Sequence, residues 1–173
     1  MTTTTPQFDA EALYAALEAQ VKAGLAQAEN VAVIGIYSGG AWVAERLAAA
    51  LQLTESNRLG FVDVSFYRDD FSKKGLRAEV KPTHIPFDVN GATILLVDDV
   101  LYTGRTTRAA INELFDYGRP AKVMLAALVD REERELPIVA DFVADVAALG
   151  ADQTLQLERA DDGRFTLTVL HNA

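Results

Sequence analysis

One segment, residues 94–107, limits the folds open to this chain more than any other. Four apolar residues, 94–97, predict a strand buried on both faces, and two adjacent aspartates, Asp98 and Asp99, follow at its carboxyl end. A short loop rich in threonine and glycine then leads into a helix. Because ligands of open α/β sheets bind outside the carboxyl ends of the strands, this segment predicts a binding site there.

The two halves of this predicted site suit different chemical groups. The start of the helix offers free backbone N–H groups and hydroxyls, which favour an anion, and Gly104 permits a phosphate to approach the backbone closely. Asp98 and Asp99 can instead accept hydrogen bonds from two neighbouring hydroxyls, or hold Mg²⁺. A ribose 5-phosphate carries both kinds of group. The alternative is that the aspartates only begin a loop and Thr106 only caps a helix.

Strands and helices alternate along the chain, which predicts an α/β fold with a parallel sheet and helices on both faces. The predicted strands are residues 31–36, 61–67, 92–97, 123–129 and 142–143. Helices are predicted from the cap Asp9, over 43–51 and over 106–117, the last with Ile111, Leu114 and Phe115 inward and Gly118 directly after its C-cap. Asp161-Asp162-Gly163, between residues 154–157 and 165–170, predicts a C-terminal β-hairpin.

Composition narrows the function classes. The 173 residues suit one domain, 1–173, with a flexible tail over 1–7. The absence of cysteine excludes disulfides, thiolate catalysis and cysteine-bound zinc, and no apolar run reaches the roughly 18 residues of a membrane span. The start lacks a signal peptide, so a cytoplasmic protein is expected. With 16 basic and 25 acidic residues the net charge is −9, which disfavours general binding to nucleic acid or anionic membranes.

The segment 97–104, Val-Asp-Asp-Val-Leu-Tyr-Thr-Gly, resembles the phosphoribosyl diphosphate (PRPP) signature of type I phosphoribosyltransferases. It is neither a Walker loop nor a dinucleotide fingerprint. The Tyr-Arg-Asp-Asp of 67–70 and the Arg-Glu-Leu-Pro-Ile of 134–138 are similar to the PyrR branch, pyrimidine-operon regulators that are also uracil phosphoribosyltransferases. The resemblance covers residues 31–142. It implies the type I fold, with a mobile hairpin loop, and a dimer or larger homo-oligomer.

The same resemblance implies how PRPP is bound. Asp98 and Asp99 would hold the ribose hydroxyls, Asp98 would also take part in catalysis, and both would face Mg²⁺ mainly through PRPP and water. The 5-phosphate loop would consist of Thr103, Gly104, Arg105, Thr106 and Thr107. The pyrophosphate loop would be Ser38-Gly39-Gly40, where family members often carry a non-proline cis peptide. An ordinary strand–helix turn fits this last segment equally well.

The remaining roles concern the leaving group and the base. The mobile loop, 68–81, would supply the catalytic cations Arg68, Lys73 and Lys74, which neutralise the departing pyrophosphate together with Mg²⁺; a solvated charged hairpin is the alternative. Val143 and Ala144 would line the base subsite. No catalytic role is predicted for Arg131 or Arg134 from their spacing, and both side chains could be solvated.

Three departures from the family pattern keep several functions open. Tyr37 and Gly40 stand where many relatives have lysine and arginine, residues 142–148 lack the usual glycine and proline, and residues 9–30 hold four acids and one base. The leading hypothesis is uracil + PRPP giving UMP + pyrophosphate, with pyrimidine-responsive regulation as an added possibility. The alternatives are an RNA-binding attenuator that senses UMP and PRPP, and a phosphoribosyltransferase for another base. RNA binding is doubted because the first helix is acidic.

Overall fold

A computed structural model describes residues 7–65 and 82–172. Within them the chain forms three helices and seven strands, in the order α1 (Ala10–Gly24), β1 (Val31–Ile36), α2 (Gly39–Ala50), β2 (Leu59–Val62), β3 (Thr93–Leu101), α3 (Arg105–Phe115), β4 (Lys122–Asp130), β5 (Phe142–Val146), β6 (Gln153–Arg159) and β7 (Phe165–His171). No helix in these two ranges is long and apolar enough to cross a membrane.

Five of the described strands form one parallel sheet in the order β2-β1-β3-β4-β5. The apolar runs of β1, β3 and β4 occupy its centre, where both faces are covered, and their residues are almost fully buried. Because all five strands run the same way, their carboxyl ends share one edge. The predicted α/β fold with a parallel sheet flanked by helices is confirmed.

The two faces of the sheet carry different layers. On one face α1 and α2 pack together with the antiparallel hairpin β6–β7, which inserts Leu157, Phe165 and Leu167 into the core. On the other face α3 packs through Ala110 and Leu114. The predicted C-terminal hairpin is therefore present, and it belongs to the layer that contains α2 and the loop before it.

Helix α1 begins as predicted, because the Asp9 side chain accepts a hydrogen bond from the backbone N–H of Ala12 at 3.0 Å. Helix α3 differs from the prediction in its inner face: Leu114 is buried and Ile111 is partly buried, but Phe115 is 52% exposed. Ala109 and Ala110 form the contact with the sheet together with Leu114, and Phe115 lies outside that contact. The C-cap is Asp116, so Gly118 lies two residues past the cap rather than one.

The strand boundaries differ from the predicted ones at two places. Strand β2 ends at Val62 instead of continuing to residue 67, because its neighbour β1 ends at Ile36, opposite Val62. Beyond it the Asp63 side chain accepts from the N–H of Ser65 at 2.9 Å and turns the chain, and residues 66–81 lie outside the described part. Strand β3 runs on through the acidic pair to Leu101, because β4 pairs with it as far as Asp130.

Candidate active site

Asp98 and Asp99 lie within the last four residues of β3, the central strand of the sheet. Asp98 is only 5% exposed, and its Oδ1 accepts from the N–H of Asp99 at 2.9 Å. The Oδ1 of Asp99 accepts from the N–H of Val100 at 2.8 Å. Successive strand residues point to opposite faces, so the two carboxylates diverge. Asp98 lines the pocket before α3, and Asp99 lies against Gly39, the first residue of α2.

The predicted pyrophosphate loop, residues 38–40, consists of the N-cap Ser38 and the first two residues of α2, and it lies directly against β3. The peptide bond between Tyr37 and Ser38 is cis, as the resemblance implied for this loop. A Cβ atom on Gly39 would overlap Asp99 Oδ2 and lie 2.7 Å from its Cγ. A Cβ on Gly40 would lie 2.5 Å from the carbonyl oxygen of Val97. Only glycines permit this approach, which brings the amino end of α2 beside the Asp99 carboxylate.

The loop 103–107 forms the amino end of α3. Gly104 is the N-cap, with φ at +92°, and a Cβ there would lie 3.0 Å from Cγ1 of Ile138, so glycine is required for two reasons. The Thr103 hydroxyl oxygen accepts from the N–H of Arg105 at 3.2 Å. A small pocket opens here, lined by Asp98, Val100, Leu101, Tyr102, Thr103, Gly104, Thr106 and Thr107.

Thr107 and Arg105, both in this loop, differ in where their side chains point. Thr107 is 1% exposed, and its hydroxyl has no hydrogen-bond partner among the described residues. A buried hydroxyl without a partner in a polar pocket is the kind of group that a ligand satisfies. Arg105 instead points outward, and its Nε donates to Glu135 Oε2 at 2.6 Å. The hydroxyls and backbone N–H groups of the loop, rather than the Arg105 side chain, therefore face the pocket.

The segment 130–138 borders this loop and holds two arginines. Arg134 donates to the carbonyl oxygens of Ile138 and Tyr102 and to the Asp130 carboxylate, at 2.7, 2.6 and 2.6 Å. Burial opposes ionisation of Asp130, but the hydrogen bonds from Arg134 and from the N–H of Glu132 outweigh it and lower the pKa of that carboxyl. Arg134 is therefore not solvated, since two of its nitrogens donate within the segment and the third donates to Tyr102 after β3.

Arg131 is also not solvated, since only 5% of the residue is exposed. Its guanidinium carbon lies 4.0 Å from the centroid of the Tyr102 ring. The Tyr102 hydroxyl donates to Glu133 Oε2 at 2.8 Å. Sequence reasoning missed this pairing because Arg131 and Tyr102 follow different strands, and no spacing rule connects them.

The departure at Tyr37 brings an aromatic pair to the end of β1. The Tyr37 ring stacks on Phe61 with centroids 5.3 Å apart. Burial raises the pKa of the Tyr37 hydroxyl, and the negative charges of Glu45 and Asp63 raise it further. At this position, where many relatives have a basic residue, the chain has a stacked tyrosine. The predicted catalytic cations Arg68, Lys73 and Lys74 lie outside the described residues, so the structure does not place them.

Val143 and Ala144 lie inside the edge strand β5. The backbone of Val143 is held on its outer side by Gln20 of α1, whose side-chain amide donates to the Val143 carbonyl oxygen at 2.9 Å and accepts from its N–H at 3.2 Å. Ala144 packs against the α1–α2 core. Their predicted role in base binding stays a prediction. The carboxyl end of β5, nearer the other site residues, is Asp145 and Val146.

The fold and the site define the class of protein: residues 7–150 match the family model of the phosphoribosyl transferase domain, so the chain is a phosphoribosyltransferase. The hypoxanthine phosphoribosyltransferase of Trypanosoma cruzi has the same fold, with a TM-score of 0.64 and 19% identity over 96% of this chain and 95% of that one.

Closer relatives identify the branch. The chain is 55% identical to the Bifunctional protein PyrR of Ralstonia nicotianae, over 95% of this chain and 96% of the relative. It is 52% identical to the Bifunctional protein PyrR of Nitrosococcus oceani, over 79% of this chain and 77% of the relative. The chain therefore belongs to the PyrR family.

Proposed function

We propose that this phosphoribosyltransferase converts uracil and PRPP to UMP and pyrophosphate. The observation that supports it most directly is the pairing of two neighbouring subsites at the carboxyl end of β3. One is the Asp98–Asp99 pair, whose carboxylates accept hydrogen bonds only. The other is the pocket at the amino end of α3, with the unpartnered Thr107 hydroxyl. A ribose with two free hydroxyls and a 5-phosphate matches both.

In this proposal each part of the chain has one task in holding PRPP. Asp98 and Asp99 accept hydrogen bonds from the 2′ and 3′ hydroxyls of the ribose. The Thr107 hydroxyl and the first-turn N–H groups of α3 bind the 5-phosphate, which the helix dipole also favours. Gly39 and Gly40 hold the amino end of α2 close to the ribose, where its N–H groups can bind the pyrophosphate.

The reaction exchanges one bond for another at C1′ of the ribose. The bond from uracil N1 to C1′ forms, the bond from C1′ to the pyrophosphate oxygen breaks, and the N1 proton passes to solvent. Charge develops on the ribose and on the leaving group, so fixed charges and exclusion of water lower the barrier. We assign stabilisation of the leaving group to Arg68, Lys73 and Lys74, and water exclusion to closure of the loop 68–81.

The residues of this site could bind Mg²⁺ only together with PRPP, which would supply part of its ligands. Asp98 and Asp99 supply the carboxylate oxygens that Mg²⁺ prefers, but no group of three or more histidine, aspartate or glutamate side chains suited to a metal exists in the described residues. The two aspartates would therefore hold the ion through water and PRPP oxygens. When bound there, the ion neutralises charge on the pyrophosphate.

Regulation of pyrimidine genes is the second candidate function, because the two relatives described above carry the name bifunctional. The charge of this chain argues for weak RNA binding. On α1, Glu18 pairs with Lys22 at 2.9 Å and Glu11 pairs with Arg46 at 2.9 Å, so the first helix offers no free cation for a phosphate backbone. We also propose a homodimer or larger assembly and a cytoplasmic location, as the family resemblance and the composition predict.

The experiment that tests the proposal changes Asp99 to Asn. Asn keeps the shape of the side chain and the hydrogen bond to the Val100 N–H but removes the charge. A charge-assisted hydrogen bond contributes about 1.5–3 kcal/mol, so the KM for PRPP should rise roughly 10- to 100-fold. Steady-state UMP formation with PRPP varied measures this, and thermal unfolding confirms that the fold is kept. An unchanged KM for PRPP in both Asp99→Asn and Asp98→Asn would refute the ribose assignment.

A further inference from the structure

Arg131 is a buried cation that the mechanism above does not use. It is the first residue after β4, it is 5% exposed, and its Nε is closed off from solvent with no hydrogen-bond partner among the described residues. The ring of Tyr102 covers one face of its guanidinium. Burial of a charge without a partner is costly, and the attraction of an aromatic ring offsets only part of that cost. Such a group calls for a ligand.

Three acidic side chains of the same segment, Asp130, Glu133 and Glu135, are engaged by donors other than Arg131, and the fourth, Glu132, is exposed. The first three bind, respectively, Arg134 Nη2 at 2.6 Å, the Tyr102 hydroxyl at 2.8 Å and Arg105 Nε at 2.6 Å. Within residues 7–65 and 82–172 no carboxylate forms an ion pair with Arg131. The segment thus keeps this one cation available.

The order of the strands indicates that the base, rather than the pyrophosphate, binds near Arg131. With the ribose over Asp98 and Asp99 at β3, the pyrophosphate lies on the β1 side, beside loop 38–40. Displacement at C1′ with inversion brings the base to the face opposite the leaving group. In the order β2-β1-β3-β4-β5 that face looks toward β4 and β5. Arg131 follows β4 directly, and its N–H donates to the Leu101 carbonyl oxygen at the end of β3, at 2.8 Å.

The 5-phosphate is the other anion that could satisfy Arg131, and the pocket geometry disfavours it. Tyr102 lines the pocket at the amino end of α3, whereas Arg131 does not. The phosphate subsite also has its own donors in Thr107 and the N–H groups of the α3 amino end.

We propose that the Arg131 guanidinium is a base-binding group, which donates a hydrogen bond to a carbonyl oxygen of the incoming pyrimidine while Tyr102 holds its plane by stacking. This inference rests on the proposed function and names the recognition element of its base subsite. Arginine offers donors only, so it accepts a base with a carbonyl at that position and leaves itself unpaired against a base with an amino group there. A buried, unpaired donor is strongly selective against the wrong base.

The test compares Arg131→Met, Arg131→Gln and Arg131→Lys with wild type in steady-state UMP formation, varying uracil and PRPP separately. The matched control is Arg164→Met, which removes one positive charge from the exposed turn between β6 and β7. Loss of a charged hydrogen bond to the base raises the KM for uracil roughly 10- to 100-fold in the Met and Gln variants. The KM for PRPP stays within about twofold of wild type, Lys restores part of the uracil affinity, and Arg164→Met behaves as wild type.

Two other results would overturn the assignment. An unchanged KM for uracil in a folded Met or Gln variant would show that Arg131 does not bind the base. An equal rise in both KM values, with lowered thermal stability, would show that the guanidinium only supports Tyr102 or serves the phosphate. These outcomes leave the proposed function intact, because wild type still forms UMP. If wild type forms no UMP from uracil, the proposed function fails and the assignment of Arg131 fails with it.

Discussion

Adding a single methyl group at Gly39 should weaken PRPP binding without unfolding the protein. In Gly39→Ala the new Cβ would overlap Asp99 Oδ2 and lie 2.7 Å from Asp99 Cγ, so the carboxylate must rotate away. Rotation breaks the hydrogen bond that the Val100 N–H donates to Asp99 Oδ1 at 2.8 Å, and this loss lowers the free energy of unfolding by about 1 kcal/mol. It also withdraws the acceptor from a ribose hydroxyl, which costs about 1.5–3 kcal/mol of PRPP binding.

The expected result is therefore a KM for PRPP raised roughly 10- to 100-fold, with a small loss of stability. Steady-state kinetics with PRPP varied, together with urea unfolding, measures both quantities. Two controls bracket the effect. Gly40→Ala meets the carbonyl oxygen of Val97 in β3 and should lower stability far more. Gly150→Ala meets only the movable side chains of Asp152 and Gln153 and should change neither quantity. A folded Gly39→Ala enzyme with normal PRPP affinity would refute the reasoning.

Two further predictions concern stability and RNA. Glu11 accepts from Arg46 at 2.9 and 3.0 Å and from the Phe165 N–H at 2.7 Å, and the hydrogen bonds from Arg46 are the main cause of its lowered pKa. Glu11→Gln should cost about 1 kcal/mol at neutral pH, measured by urea unfolding. The lowered pKa means that this stabilisation is present above the unfolded-state pKa of 4.5 and is lost as pH falls through the folded value; a difference that persists in acid would contradict this origin. With a net charge of −9, binding to a pyrimidine leader RNA at physiological salt should be weak, and submicromolar, UMP-responsive binding in a filter titration would contradict this.

The central part of the fold could be predicted because its strands are apolar on both faces. Strands β1, β3 and β4 and the acidic pair all lie where the pattern placed them, although β3 extends four residues further because β4 continues beside it. Strand β2 is present but ends earlier than predicted, because its length is set by its neighbour β1 and not by its own alternation of apolar and polar residues. Phe115 was assigned inward on helical spacing, but the alanines beside it fill the contact with the sheet.

The polar contacts between segments could not be predicted from the sequence. The closeness of Gly39 to Asp99 and the stacking of Arg131 on Tyr102 each join residues that follow or belong to different strands. The Glu11–Arg46–Phe165 cluster joins α1, α2 and β7 in the same way. Each depends on tertiary geometry, for which spacing along the chain gives no signal.

The most direct test of the account is the choice of base. Purified protein is incubated with PRPP and Mg²⁺ and with one base at a time, uracil, orotate, hypoxanthine or guanine, and the nucleotide product is identified and quantified. The account predicts UMP and pyrophosphate in equal amounts from uracil, no nucleotide from the other bases, and loss of UMP formation at limiting PRPP in Asp99→Asn. Formation of a purine nucleotide or orotidine monophosphate without UMP would contradict it.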